Sequence, residues 1–103
     1  MFLALWEYDV KPGCEERFES VYGPDGEWAQ LFRRDPAYHR TILLRDAFRA
    51  ATYMTCDFWE SREAYETFQR NNSDAYLALD KSCDELTIAE RKIGAFEKLA
   101  DGE

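Results

Sequence analysis

Stretches of apolar residues that suit strands and apolar residues at helical spacing take turns along this chain. Residues 2–10 (FLALWEYDV) are rich in β-forming types and stop at Lys11-Pro12-Gly13, a turn signal that ends ladder pairing. The pattern predicts a first strand there. From Cys14 the period changes: Phe18, Val21 and Tyr22 recur at helical spacing while Glu15, Glu16, Arg17 and Glu19 face out. Gly23-Pro24-Asp25-Gly26 interrupts that helix, Trp28, Leu31 and Phe32 restart the period, and Asp35-Pro36 stops it. The first helical region is therefore predicted in two pieces.

Residues 38–46 (YHRTILLRD) and 51–59 (ATYMTCDFW) read as two strands, joined by Ala47-Phe48-Arg49-Ala50, a connection short enough for an antiparallel hairpin. Ser61 offers an N-cap to a second helix with Glu63 in its first turn and Ala64, Tyr65, Phe68 and Asn72 on one face. Asn71-Asn72-Ser73-Asp74 predicts a kink or re-cap before Tyr76, Leu77 and Leu79 continue the helix. Thr87-Ile88-Ala89-Glu90 has capping-box spacing or forms a turn, and residues 91–99 (RKIGAFEKL) read as the last strand. The order β-α-β-β-α-β is the split arrangement of ferredoxin-like α+β domains, with a four-stranded antiparallel sheet and the helices on one face. It occupies residues 1–103 as one domain. The first strand carries apolar side chains on both sides, Phe2, Ala4, Trp6 and Tyr8 against Leu3 and Leu5, so the face without helices is expected to meet a partner sheet.

Composition sharpens this picture. Aromatic residues make up 16% of 103 residues, more apolar area than one small core requires, which points to a subunit interface or an apolar pocket. A net charge of −8 argues against a nucleic-acid partner, whose phosphates need Lys and Arg. No stretch approaches the ~20 apolar residues of a membrane-spanning helix, and the first residues have neither the basic lead-in nor the length of a signal peptide. The expected setting is cytoplasmic, with no membrane partner. Cys14, Cys56 and Cys83, odd in number and widely spaced, read as free thiols.

Specific segments resemble the antibiotic biosynthesis monooxygenase-like group of dimeric α+β barrel proteins. They are Val10-Lys11-Pro12-Gly13 with Glu15-Glu16-Arg17-Phe18, then Tyr22-Gly23-Pro24-Asp25-Gly26-Glu27-Trp28 and Asp35-Pro36-Ala37-Tyr38. Downstream come Asp57-Phe58-Trp59-Glu60-Ser61-Arg62-Glu63-Ala64-Tyr65 and the closing Glu90-Arg91-Lys92-Ile93-Gly94. The resemblance covers nearly the whole chain and is more specific for fold than for chemistry. It implies a homodimer whose two sheets form one barrel, with a pocket in each subunit between sheet and helices. Members of that group include cofactor-free monooxygenases acting on polycyclic phenols, haem-degrading enzymes and many proteins of unknown activity. The haem branch uses an Asn on the first strand, a Trp ending the third strand and a His on the second long helix. Here Trp59 matches, but Trp6 stands at the first-strand position and the helix near Asp80 has no His, so the iron loses its anchor. No cofactor and no metal are expected.

Within that frame the candidate catalytic residues are His39, Tyr53 and Trp59. His39 is the only histidine, and imidazole is the side chain whose chemistry suits a general base removing a phenolic proton at neutral pH so that the anion can reduce oxygen. Tyr53, Asp57 and Trp59 share one face of the third strand by period-2 spacing, Trp59 to stack on a flat substrate and Tyr53 to hold its oxygen. Trp6, Trp28, Phe32, Tyr65, Phe68 and Asn72 are candidates for lining a pocket that takes a small hydrophobic aromatic, polyketide-like ligand. Each also reads as ordinary core or, for Asn72, a helix-break residue. Two other functions fit the same residues: a non-catalytic ligand-binding dimer, and a proton-transfer cyclase or isomerase. Phosphate loops, nucleophile elbows and zinc motifs are absent from the sequence.

Overall fold

Four strands run in the order β2-β3-β1-β4, every neighbour antiparallel, in a computed structural model that describes residues 1–102. β1 is Phe2–Val10, β2 Tyr38–Arg45, β3 Thr52–Trp59 and β4 Thr87–Glu97; α1 (Glu15–Tyr22), α2 (Glu27–Phe32), α3 (Arg62–Asn71) and α4 (Ser73–Cys83) fill the two crossovers. This is the ferredoxin-like α+β sheet with its helices on one face. The expected split of the first helical region is present. Gly26 is required there, because a Cβ would lie 2.2 Å from the Val21 carbonyl oxygen. Ser61 caps α3 by accepting the Ala64 amide at 3.1 Å. Asn72 divides α3 from α4: its backbone N–H and its Nδ2 both donate to the Phe68 carbonyl at 3.0 Å.

One local reading is corrected. Thr87-Ile88-Ala89-Glu90 is neither a capping box nor a turn but the first part of β4, which ends at Glu97 rather than Leu99. A 3-10 turn over Asp84–Leu86 closes α4 first, and the Lys11 amide donates to the Leu86 carbonyl at 2.9 Å, drawing the following residues into register with β1. Pairing with an existing edge outweighs the local capping pattern.

Rings dominate the core. Phe18, Phe68 and Trp59 are fully buried, Phe18 stacks on Tyr22 at 4.2 Å, and Trp59 makes edge contacts with Phe32, Tyr38 and Tyr65 at 5.4–5.5 Å. The opposite face of the sheet has no helix. Leu44 and Phe96 stand 49–50% exposed beside the half-buried Leu3, Leu5, Ile42 and Met54. A flat slab of 38 × 36 × 21 Å results, and its surface of 6653 Å² exceeds the roughly 6,000 Å² that size scaling predicts for a compact monomer.

Register fixes which side chains look at the helices. Ala4 lies opposite Asp57 and Trp6 opposite Thr55 across β1 and β3, and Asp57 lies opposite Thr41 across β3 and β2. A bulge at His39 lets two steps along β2, Tyr38 to Arg40, span one step of β3, Trp59 to Phe58. Strict alternation from Tyr38 would have put Arg40 inside. The bulge sends Arg40 outward, where its guanidinium carbon sits 4.4 Å over the Phe58 ring, and brings Thr41 inward.

Candidate functional site

A cleft opens between the helix face of the sheet and the inner sides of α1, α2 and α4. Trp6, Tyr8, Tyr22, Trp28, Phe32 and Tyr76 form its apolar wall; Thr41, Thr55, Asp57, Asp80 and Glu90 supply the polar groups. The space is about 420 Å³ with its open mouth included, of which about 30 Å³ is water-accessible core. That core holds roughly two waters, so anything as large as a planar ring system would require rings such as Trp28 and Tyr76, whose centroids are 4.9 Å apart, to move aside.

Asp57 is the polar centre. It is only 8% exposed, and its Oδ1 accepts a 2.6 Å hydrogen bond from Thr41 Oγ1. Thr41 has one hydroxyl proton and spends it on Asp57, so the Tyr38 hydroxyl donates to Thr41 at 2.6 Å. Removal from water raises the Asp57 carboxyl to about 6, with the Thr41 bond pulling the other way. A carboxylate with that value suits proton transfer near neutral pH. Tyr8, whose hydroxyl lies 3.3 Å from Thr55 Oγ1, is pushed well above the usual phenol range by burial and stays neutral. At the rim, Asp80 is raised by desolvation and then by the charge of Asp84, and Glu90 by desolvation and then by Asp80 and Asp84.

The residues singled out in the sequence divide between this cleft and its surroundings. Trp6, Trp28 and Phe32 line it. Trp59, Tyr65 and Phe68 lie behind the lining: Trp59 and Phe68 are wholly enclosed, and Tyr65 accepts a 2.8 Å hydrogen bond from Gln69 Nε2. The Tyr53 hydroxyl turns to α1 and donates to Glu19 Oε2 at 2.6 Å; burial and that carboxylate push it up to about 12. Asn72 is occupied at the α3–α4 break. His39 sits at the bulge, on the surface, with Nε2 2.7 Å from Glu60 Oε2. Asp57, Thr41, Thr55, Asp80 and Glu90 are polar groups of the cleft that the sequence did not assign to a site. Asp57 carried one signal, a carboxylate sharing a strand face with Tyr53 and Trp59.

These groups do not suit haem. His39 is the only imidazole in the chain and lies outside the cleft, whose three carboxylates would oppose the propionates. No helix among the described residues is long and apolar enough to cross a membrane.

Comparison with known proteins places this geometry in a wider set. No curated protein sequence matches the chain. Among solved structures it is similar to SnoaB, a cofactor-independent oxygenase from Streptomyces nogalater, with 21% identity, a TM-score of 0.79, and coverage of 97% of this chain and 94% of that one. MhuD, solved with two manganese protoporphyrin IX molecules per active site, has 18% identity and a TM-score of 0.75 over 100% of this chain and 99% of that one. PA3566 from Pseudomonas aeruginosa has 17% identity and a TM-score of 0.67, covering 96% and 94%. At these identities the likeness establishes the fold. The family model for antibiotic biosynthesis monooxygenase matches residues 1–80, which hold β1 to β3 and nearly all the helices. The chain belongs to the antibiotic biosynthesis monooxygenase family.

Proposed function

We propose that this protein is a cofactor-independent monooxygenase that oxidises a planar aromatic or polyketide-like molecule in the ring-lined cleft, with Asp57 in the role of general base read in the sequence for His39. The observation that carries the reading is a desolvated carboxylate, held by Thr41, which is in turn held by Tyr38, at the floor of a cleft walled by Trp6, Trp28 and Phe32.

The chemistry follows from that placement. The Asp57 carboxylate takes a proton from an activated methylene next to a phenol or ketone, leaving an electron-rich carbanion against the rings. The carbanion passes one electron to dioxygen, and the two radicals join as a carbon-bound peroxide. Loss of water then leaves a carbonyl, so that CH2 and O2 become C=O and H2O. Asp57 returns its proton to the departing hydroxide. Neutral Tyr8 and the Trp28 indole N–H are donors for the substrate oxygen as charge develops.

The uncovered apolar face supports the other half of the reading, a homodimer in which two sheets close one barrel. Leu3, Leu5, Ile42 and Phe96 are apolar groups that a second sheet would remove from water. Free Cys14, Cys56 and Cys83 fit the reducing cytoplasmic setting that goes with this assignment.

Oxygen uptake with anthrone-type substrates tests the activity. One O2 consumed per carbonyl formed, with kcat rising through about pH 6, is the expected result. Absence of uptake and product across such a panel would reject it. Exchange of solvent deuterium into the ligand without uptake favours the proton-transfer alternative. Light scattering at micromolar concentration checks the assembly: a mass of one chain rules out the barrel.

A further inference from the structure

The cleft contains something that neither its fold nor its rings require: three carboxylates line it and no basic side chain does. Among the described residues, Asp57, Asp80 and Glu90 take part in no ion pair, although the molecule forms such pairs readily elsewhere, through Arg33, Arg49, Arg62 and Arg91. Lys92 shares the helix side of β4 with Glu90, since they lie opposite Trp6 and Tyr8, yet it stays outside the lining and pairs with no acid among the described residues. Lys81 follows Asp80 on α4 and also stays outside it.

Two nearly enclosed groups of the cleft, one on the sheet side and one on α2, have unused hydrogen-bonding capacity. Asp57, 8% exposed, uses one carboxylate oxygen for Thr41 and leaves the other without a hydrogen bond. The Trp28 indole N–H, in a side chain equally enclosed, has no acceptor among the described residues. A buried donor without a partner is costly unless a bound molecule satisfies it. The charge is also of a particular kind: no three described His, Cys, Asp or Glu side chains converge tightly enough to hold a metal ion. Carboxylates spread around aromatic faces suit a diffuse organic cation, because ring faces and acids attract an ammonium together.

Resting on the ligand-site reading above, we propose that the cleft selects a planar aromatic molecule bearing a basic nitrogen. The protonated nitrogen is held at the rim by Asp80 and Glu90 against Trp6 and Tyr76, and a ligand carbonyl or hydroxyl oxygen accepts from Trp28. Anionic polycycles are disfavoured by the same charges.

Three tricyclic probes of one size and different charge test this at pH 8 by quenching of tryptophan fluorescence: aminoacridine (cationic), anthracenemethanol (neutral) and anthracenecarboxylate (anionic). The expected order is cation, neutral, anion, with about tenfold between the first two. The Asp80→Asn/Glu90→Gln double variant, altered only at the rim, is expected to bring aminoacridine to the level of the neutral probe. Neutral or anionic binding as tight as the cation overturns the charge inference and leaves the ligand site standing. A cation preference that survives in the double variant overturns the rim assignment. Failure of all three probes removes the ligand site, and the inference with it.

Discussion

The two faces of one sheet treat their carboxylates in opposite ways. On the open face, Glu7 and Asp9 of β1 accept from Arg91 at 2.8 and 3.0 Å, and Glu7 also from Arg49 at 3.0 Å. Arg91 is the main reason both acids are held below the usual carboxylate range. On the helix face, Asp57 has a hydroxyl for a neighbour instead of a guanidinium, and burial holds it well above that range. Neighbouring strands of one sheet therefore carry acids held below the usual carboxylate range on one side and raised above it on the other. Water access and the nearest cation set the difference. A face built only for stability has no need of an unpaired acid beneath its rings, which is why the helix face is the one to test for chemistry.

The largest expected effect is on turnover. Asp57→Asn preserves the acceptor for Thr41 but removes the base, and oxygen uptake is expected to fall by about 10²- to 10⁴-fold. A loss under threefold would make the two faces chemically equivalent. Core packing comes next. Phe18→Ala deletes a fully buried ring stacked on Tyr22 and is expected to cost about 3–5 kcal/mol in urea unfolding. Phe96→Ala on the open face, where the ring is 49% exposed, is expected to cost about 1 kcal/mol in dilute protein. Its cost should grow with protein concentration if a second sheet covers it.

Acid separates the faces further. Asp57 titrates higher in the folded chain than unfolded, so its contribution to stability is full below the unfolded value near 4 and is lost as pH rises through about 6. Keeping it ionised at pH 8 thus costs the fold about 3 kcal/mol. Asp57→Asn should melt higher than the parent at pH 8, with the gap closing between about pH 6 and pH 4. Glu7 and Asp9 have the opposite sign: their stabilisation is present above the unfolded value and is lost as pH falls through their lowered folded values. The smallest effect is expected for Arg91→Gln, a slight drop in melting temperature that high salt abolishes, because these pairs are exposed to solvent.

Much of the architecture was legible in the chain because it rests on local periodicity. The β1 pattern, the Gly23–Gly26 break, the Ser61 cap and the hairpin through 47–50 all depend on residues a few positions apart. Thr87–Glu90 was not legible, since its conformation comes from pairing with β1 more than seventy residues away. The site followed the same division. Trp6, Trp28 and Phe32 line the cleft because large rings on inward faces have few other destinations. Tyr53 and Trp59 were assigned to the correct face, but face alone does not separate a cleft wall from the packed core behind it. His39 was chosen by residue type, and the bulge that turns it toward Glu60 leaves no mark in one sequence.

Spacing and composition by themselves determined the element order, the apolar character of both sheet faces, the aromatic excess and the acidic balance. Each is a property of neighbours in the chain or of the chain summed. Only the tertiary structure decided that Thr41 rather than Arg40 faces Asp57, because one extra residue at His39 shifts the alternation of β2 by a step. An arginine in that place would have held Asp57 as a permanent anion. A hydroxyl, together with the rings packed above it, leaves a desolvated acid free to exchange its proton.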